Sequence, residues 1–239
     1  MPPDPTFTPF TLQHGITVLV GIGFLIAITI SGKRSPQWER RTSATLAFIH
    51  LAIIGFSYWA WSEVERASDL SATIPLQLCD LASICAGFAL ITRHRLLILL
   101  TYFWGLAGTI QGIVTPALDI GFPHPVYFTF FTQHFAIIGT AIYFPVVQHW
   151  RPAGKWWRAP LIAFAWINAY LVVALVANAL LNTNFGFVSH KPTNPSLLDH
   201  LGPHPIYLIW LELLALSLFI LLNMPLRLKH STPKKSQIF

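Results

Sequence analysis

Apolar residues fall in seven long runs, at about residues 14–31, 43–62, 74–92, 96–115, 125–149, 157–181 and 204–224, separated by short polar stretches. Each run approaches the ~20 residues an α-helix needs to cross the hydrocarbon core of a bilayer. The third and fourth are parted only by Arg93-His94-Arg95, which predicts a tight helical hairpin. The pattern predicts an all-α membrane protein with seven transmembrane helices, built as a single integral domain over residues 1–239.

The polar stretches give the spans a direction. Lysine and arginine gather in alternate loops: Lys33, Arg34, Arg40 and Arg41 after the first span, Arg93 and Arg95 after the third, Arg151, Lys155 and Arg158 after the fifth. The tail adds Arg227, Lys229, Lys234 and Lys235, whereas the other loops hold only Arg66 and Lys191. An odd number of spans puts thirteen of the 15 positive residues on one side. Positive loops stay cytoplasmic, so the expected N-terminus is outside and the C-terminus inside, in the plasma (cytoplasmic) membrane. Trp38, Trp59, Trp61, Trp150, Trp156 and Trp157 sit at predicted helix ends, where amphipathic rings anchor in the headgroup region. The motif Pro123-His124-Pro125-Val126-Tyr127 recurs as Pro203-His204-Pro205-Ile206-Tyr207, and reads most simply as two similar helix starts.

Composition agrees: 54% of residues are hydrophobic and 10% charged, against about 25% charged in a soluble domain. The net charge of +6 comes from the loop clusters, which is an orientation signal and not a nucleic-acid surface. The first residues, Met-Pro-Pro-Asp-Pro-Thr-Phe-Thr-Pro-Phe, lack a basic n-region, so the first run is expected to persist as a span. Cys79 and Cys85, six residues apart on one helix, rise about 9 Å relative to each other, too far for a disulfide.

The informative residues are the polar ones inside the spans, because an ionised group in hydrocarbon costs about 2.5–3.5 kcal/mol and usually marks a site. Gln77, Cys79 and Asp80 open the third span, Gln111 closes the fourth, and Gln133 and His134 lie about nine residues into the fifth. Asn168 and Asn178 are in the sixth and Glu212 is two turns into the seventh. With the orientation above nearly all lie in the outer half, while the inner halves are apolar. That predicts a polar pocket open outwards and sealed towards the cytoplasm, which argues against a continuous pore.

A thiol, an imidazole and two carboxylic acids at similar depth form a set suited to nucleophilic catalysis. Cys79 lies in the first turns of a helix, where free N–H groups stabilise an anion. His134 could take its proton, Asp80 or Glu212 could orient the ring, and Gln111 and Gln77 could hold an oxyanion. No Cys-x-x-Cys spacing exists and ligands in the pocket would have to come from separate helices, so no metal site is expected, and no cofactor. The residues alone leave two functions open: catalysis at this pocket, or a non-catalytic small-ligand transporter or receptor-like protein using the same pocket, Asn178 included.

Pro75-Leu76-Gln77-Leu78-Cys79-Asp80, Tyr102-Phe103-Trp104-Gly105-Leu106-Ala107-Gly108-Thr109-Ile110-Gln111, Thr115-Pro116, Phe130-Phe131-Thr132-Gln133-His134, Asn184, Ser196-Leu197-Leu198-Asp199 and Gly202-Pro203 resemble the YwaF group of bacterial multipass membrane proteins. That group is similar to the eukaryotic transmembrane protein 164 family. The resemblance covers roughly the second to seventh spans. It implies acyl transfer onto ether lysophospholipids in the eukaryotic relatives, through a Cys that falls on Cys79 and a His that falls on His134. Gln77 stands where relatives often carry His. The expectation is a lipid acyltransferase or acyl-ester hydrolase whose partners are membrane lipids, phospholipid or lysophospholipid, and no nucleic acid.

Overall fold

The computed structural model describes residues 5–64 and 70–228. Arg66, Lys229, Lys234 and Lys235 of the charge pattern lie outside the described residues. All seven apolar runs fold as helix. These are α1 (Leu12–Arg34), α2 (Pro36–Ser62), the single turn α3 (Leu70–Thr73), α4 (Leu78–Thr92), α5 (Arg95–Ala107), α6 (Thr109–Val114), α7 (Pro125–Val146), α8 (Arg158–Leu181) and α9 (Ile206–Leu228). Helices α1, α2, the α5–α6 pair, α8 and α9 are long and apolar enough to cross a membrane.

Local chemistry sets the boundaries. Ser35 alone separates α1 from α2, its hydroxyl accepting from the Trp38 N–H at 3.3 Å, with Pro36 at the first helical position. This extends the second helix upstream of the expected residue 43, because a capped start needs no apolar residues. Likewise His124 caps α7 by accepting from the Val126 N–H at 3.2 Å, with Pro125 next. The second Pro-His-Pro differs: α9 begins at Ile206, after Pro205.

Two expected spans are altered. The third does not start at residue 74, because Pro75 has no N–H and keeps Ile74 out of the α region. The helix starts instead at Leu78 and is 15 residues long, which makes Cys79 its second residue. The fourth breaks at Gly108, where the ladder shifts to an i→i+3 bond from the Gln111 N–H to the Gly108 carbonyl. A Cβ at Gly108 would meet the Trp104 carbonyl oxygen at 3.1 Å and Leu78 at 3.4 Å, so glycine here lets α4 start against the bend.

Helix α7 is the centre of the bundle, packed by α1, α2, α4, α5 and α6. Gln133 through Ala141 are nine consecutive buried residues, so protein surrounds this stretch of the helix on every side. That is why it can carry Gln133, His134 and the buried Thr140: no lipid meets them. Helices α8 and α9 pack on each other and on α5, at the periphery.

Successive long helices run in opposite directions. At the upper end, where α1 starts, the His14 ring donates to the Ile113 carbonyl at 2.8 Å, and Asn194 donates to the Leu118 carbonyl at 2.9 Å. At the lower end Arg93 pairs with Glu39 at 3.0 Å, and Asn223 donates to the Trp156 carbonyl at 2.7 Å. The described basic residues of the alternate loops all lie at the lower end.

Candidate active-site cavity

A cavity of about 840 Å³ opens between α2, the 73–80 segment, α5–α6, α7, α8, the 186–198 segment and α9. Cys79, Asp80, Gln77, Gln111, His134 and Glu212 all line it. Asn178 does not: its side chain accepts from the Phe185 N–H at 2.7 Å and donates to the Phe185 carbonyl at 3.2 Å, folding the chain after α8 back on itself. Expected from sequence to belong to the pocket, it is committed to this turn.

The start of α4 supplies the thiol. Leu78 and Cys79 are the first two helical residues, whose N–H groups have no acceptor within the helix. Gln77 is the N-cap, and its side-chain oxygen accepts from the Gly186 N–H at 3.0 Å, tying the 184–188 turn to the helix start. Asp80 reaches back to accept from the Gln77 N–H at 3.2 Å, and its other oxygen accepts from the Gln133 side chain at 2.8 Å. The carboxylate thereby joins the first turn of α4 to α7 at the residue before His134.

His134 is oriented by its own helix. Its Nδ1 lies 2.7 Å from the Phe130 carbonyl oxygen, which can only accept, so Nδ1 carries the proton and Nε2 keeps its lone pair. The ring stacks on Phe130 with centroids 4.1 Å apart, and its other edge lies against Gly112, where any Cβ would overlap it. Gln111, the neighbour of Gly112, has no side-chain hydrogen bond among the described residues and so faces the cavity with a free amide. Neither carboxylate orients this ring: Asp80 is held by Gln133, and Glu212 accepts from Asn168 at 2.9 Å. No hydrogen bond joins Cys79 to His134; the two groups border the same space from α4 and α7. Among the described residues no lysine or arginine lines the cavity, and no three of His, Cys, Asp and Glu come together.

Sequence reasoning passed over His50. Fully buried in α2, it sits 2.9 Å from the Ser83 hydroxyl of α4 through Nδ1 and 2.9 Å from the Thr140 hydroxyl of α7 through Nε2. A lone imidazole in the middle of an apolar run was the signal for it. Its bonds bind together the two helices that carry Cys79 and His134.

Fold and cavity together define an all-helical multipass membrane protein with an interior chamber lined by a thiol, an imidazole and carboxylic acids. The model of the TMEM164 family matches residues 7–223, and the chain belongs to that family. No curated protein and no solved structure matches it.

Proposed function

We propose that this TMEM164-family protein transfers or hydrolyses lipid acyl esters, with Cys79 as nucleophile and His134 as general base. The observation that carries the reading is the fixed tautomer of His134, which leaves Nε2 as the acceptor of a ring that lines the same cavity as Cys79. The Cys79 thiol gives its proton to Nε2 as Sγ bonds to the ester carbonyl carbon. The Leu78 and Cys79 N–H groups and the Gln111 amide are the donors for the resulting oxyanion. Its collapse expels the alcohol, which takes the proton back from the imidazolium and leaves an acyl thioester. A lysolipid hydroxyl or water, deprotonated by Nε2, then attacks the thioester and restores the thiol.

The ester carbonyl enters the space that Cys79 and His134 both border, and catalytic bonds tighten once substrate is bound. By the positive-inside rule the basic lower end is cytoplasmic and the cavity opens towards the outer half of the plasma membrane, with phospholipid or lysophospholipid as substrate. A transporter would need a polar path past this chamber. Beneath it Ala82, Leu99, Phe103, Ile137 and Phe219 pack as one apolar cluster.

The test is covalent capture. Purified protein in detergent is incubated with an alkyne-tagged acyl-ester lipid, and the adduct is located by mass spectrometry. Wild type and Cys85→Ala, whose thiol does not line the cavity, are expected to carry the acyl group on Cys79. Loss in Cys79→Ala with retention in Cys85→Ala supports the reading, whereas equal labelling of all variants overturns it.

A further inference from the structure

We infer that the cavity has a side mouth between α2 and the first turn of α4, through which a phospholipid of the upper leaflet reaches Cys79 without leaving the bilayer. This rests on the acyl-ester reading above and adds the route of entry and two residues that bound it, Gly55 and Tyr58.

Among the described residues, Gly55, Tyr58, Pro75 and Ala117 line the cavity and are also exposed. A residue that borders an interior space and the exterior together stands at an opening. Pro75 and Ala117 belong to connecting segments at the upper end. Gly55 and Tyr58, the latter 58% exposed, are on the long helix α2, so the opening there faces sideways.

The pairing of α2 with α4 shows how it arises. His50 and Leu51 of α2 lie against Gly87 of α4, where an added Cβ would meet Leu51 at 3.1 Å and His50 at 3.2 Å. One and two turns further up the same stripe come Gly55 and Tyr58. An added Cβ at Gly55 would meet nothing within 4 Å. The two helices touch at Gly87 and part above it, with the cavity lined by Tyr58 on one side and by Leu78 and Asp80 on the other.

This mouth is level with the thiol. The Ser83 hydroxyl of α4 lies 2.9 Å from the His50 ring of α2, and the two helices run in opposite directions. One turn above that contact stand Cys79 on α4 and Ile54, the neighbour of Gly55, on α2.

It is also level with the ester bonds of a lipid. The 27 residues of α2 span about 40 Å against a hydrocarbon core of about 30 Å, so its last turn stands among the headgroups. The exposed Trp59 on that turn agrees with this depth. Tyr58 and Gly55, one and two turns below the end, are at the boundary between headgroups and acyl chains, where a phospholipid carries its esters. A lipid entering here offers an ester carbonyl to Cys79 while its phosphate stays in the headgroup layer. The cavity asks no more, since among the described residues no lysine or arginine lines it.

The experiment uses the full-length protein with Cys85→Ala, in phosphatidylcholine nanodiscs that contain an alkyne-tagged diacyl phospholipid. Two rates at Cys79 are read by intact mass: acylation by the lipid, and alkylation by iodoacetamide, which arrives from water. Gly55→Trp, which stoppers the mouth, is expected to lower the ratio of acylation to alkylation at least about ten-fold, the scale on which a side chain crowds an occupied space. Gly55→Leu is expected to lower it by a smaller factor and carries the test if Gly55→Trp does not fold, because the position is open and leucine favours helix over glycine. Gly23→Trp, at an equally open glycine of α1 that borders no part of the cavity, is expected to leave the ratio unchanged. A ratio that stays the same in Gly55→Trp or Gly55→Leu while Cys79 still acylates overturns the mouth and leaves the acyl-ester reading standing. Parent protein that takes no acyl group from the lipid overturns both.

Discussion

His134 and Phe130 are one helical turn apart on α7, and the bond between the imidazole Nδ1–H and the Phe130 carbonyl, at 2.7 Å, decides which ring nitrogen can act as a base. Because the partner is main chain, its orienting role survives any side-chain change at residue 130. Replacing His134 with Gln keeps polarity and approximate size but removes the basic nitrogen. Cys79 acylation is expected to slow by about 10²–10⁴-fold, the usual yield of general base catalysis, with the fold retained. Initial rates of adduct formation, read by intact mass, check this.

Gly112 tests the same ring from its other edge. Gly112→Ala places a methyl group where the imidazole lies, so the ring must rotate off the Phe130 carbonyl. A misplacement of about 1 Å in a catalytic group costs around 10²-fold, and a loss of that size is expected in acylation rate. Circular dichroism should show helix content unchanged, and an unchanged acylation rate would remove His134 from the mechanism.

The His50 bridge is expected to act on stability. His50→Leu leaves the Thr140 hydroxyl without its imidazole partner in the core, at about 1–3 kcal/mol, while Ser83 keeps the residue-50 carbonyl at 3.4 Å. For a chain of this size that corresponds to a fall of roughly 2–12 °C in the unfolding midpoint. Thr140→Ala removes the hydroxyl along with the bond, leaving no orphan on α7, and should cost less than His50→Leu in the same detergent melt.

Orientation is testable without activity. In a Cys79→Ser, Cys85→Ser background, Thr193→Cys at the upper end should react with a membrane-impermeant maleimide on intact cells. Lys155→Cys at the lower end should react only after permeabilisation. The reverse result would put the cavity on the cytoplasmic side.

The hydrophobic pattern made the helical bundle legible, since a run of apolar residues in lipid leaves the backbone few other ways to satisfy itself. It also brought Cys79, Asp80, Gln77, Gln111, His134 and Glu212 to notice, because each is costly where it stands unless it faces an interior space. Hydropathy says little about which helix is central, and so the immersion of α7 was hidden. So were the break at Gly108 and the late start of α4, which depend on packing against Leu78 and on the missing N–H of Pro75. Asn178 looked like the other polar residues, but its partner, Phe185, is seven residues away and invisible to a pattern of polarity. The orienting contacts of His134 were hidden for a similar reason: one is a carbonyl, which every residue has.

The encasement of α7 bears on how the protein responds to its membrane. When a bilayer thickens or thins, lipid-facing helices adjust by tilting. Helix α7, touching protein at nine successive positions, has no lipid contact over that stretch through which such stress could act directly. His134 is therefore held in the mechanically quiet centre of the molecule, while the wall that carries Glu212 and Phe219 is on the periphery. Changes in membrane thickness reshape the chamber from the α9 side and leave the imidazole in place.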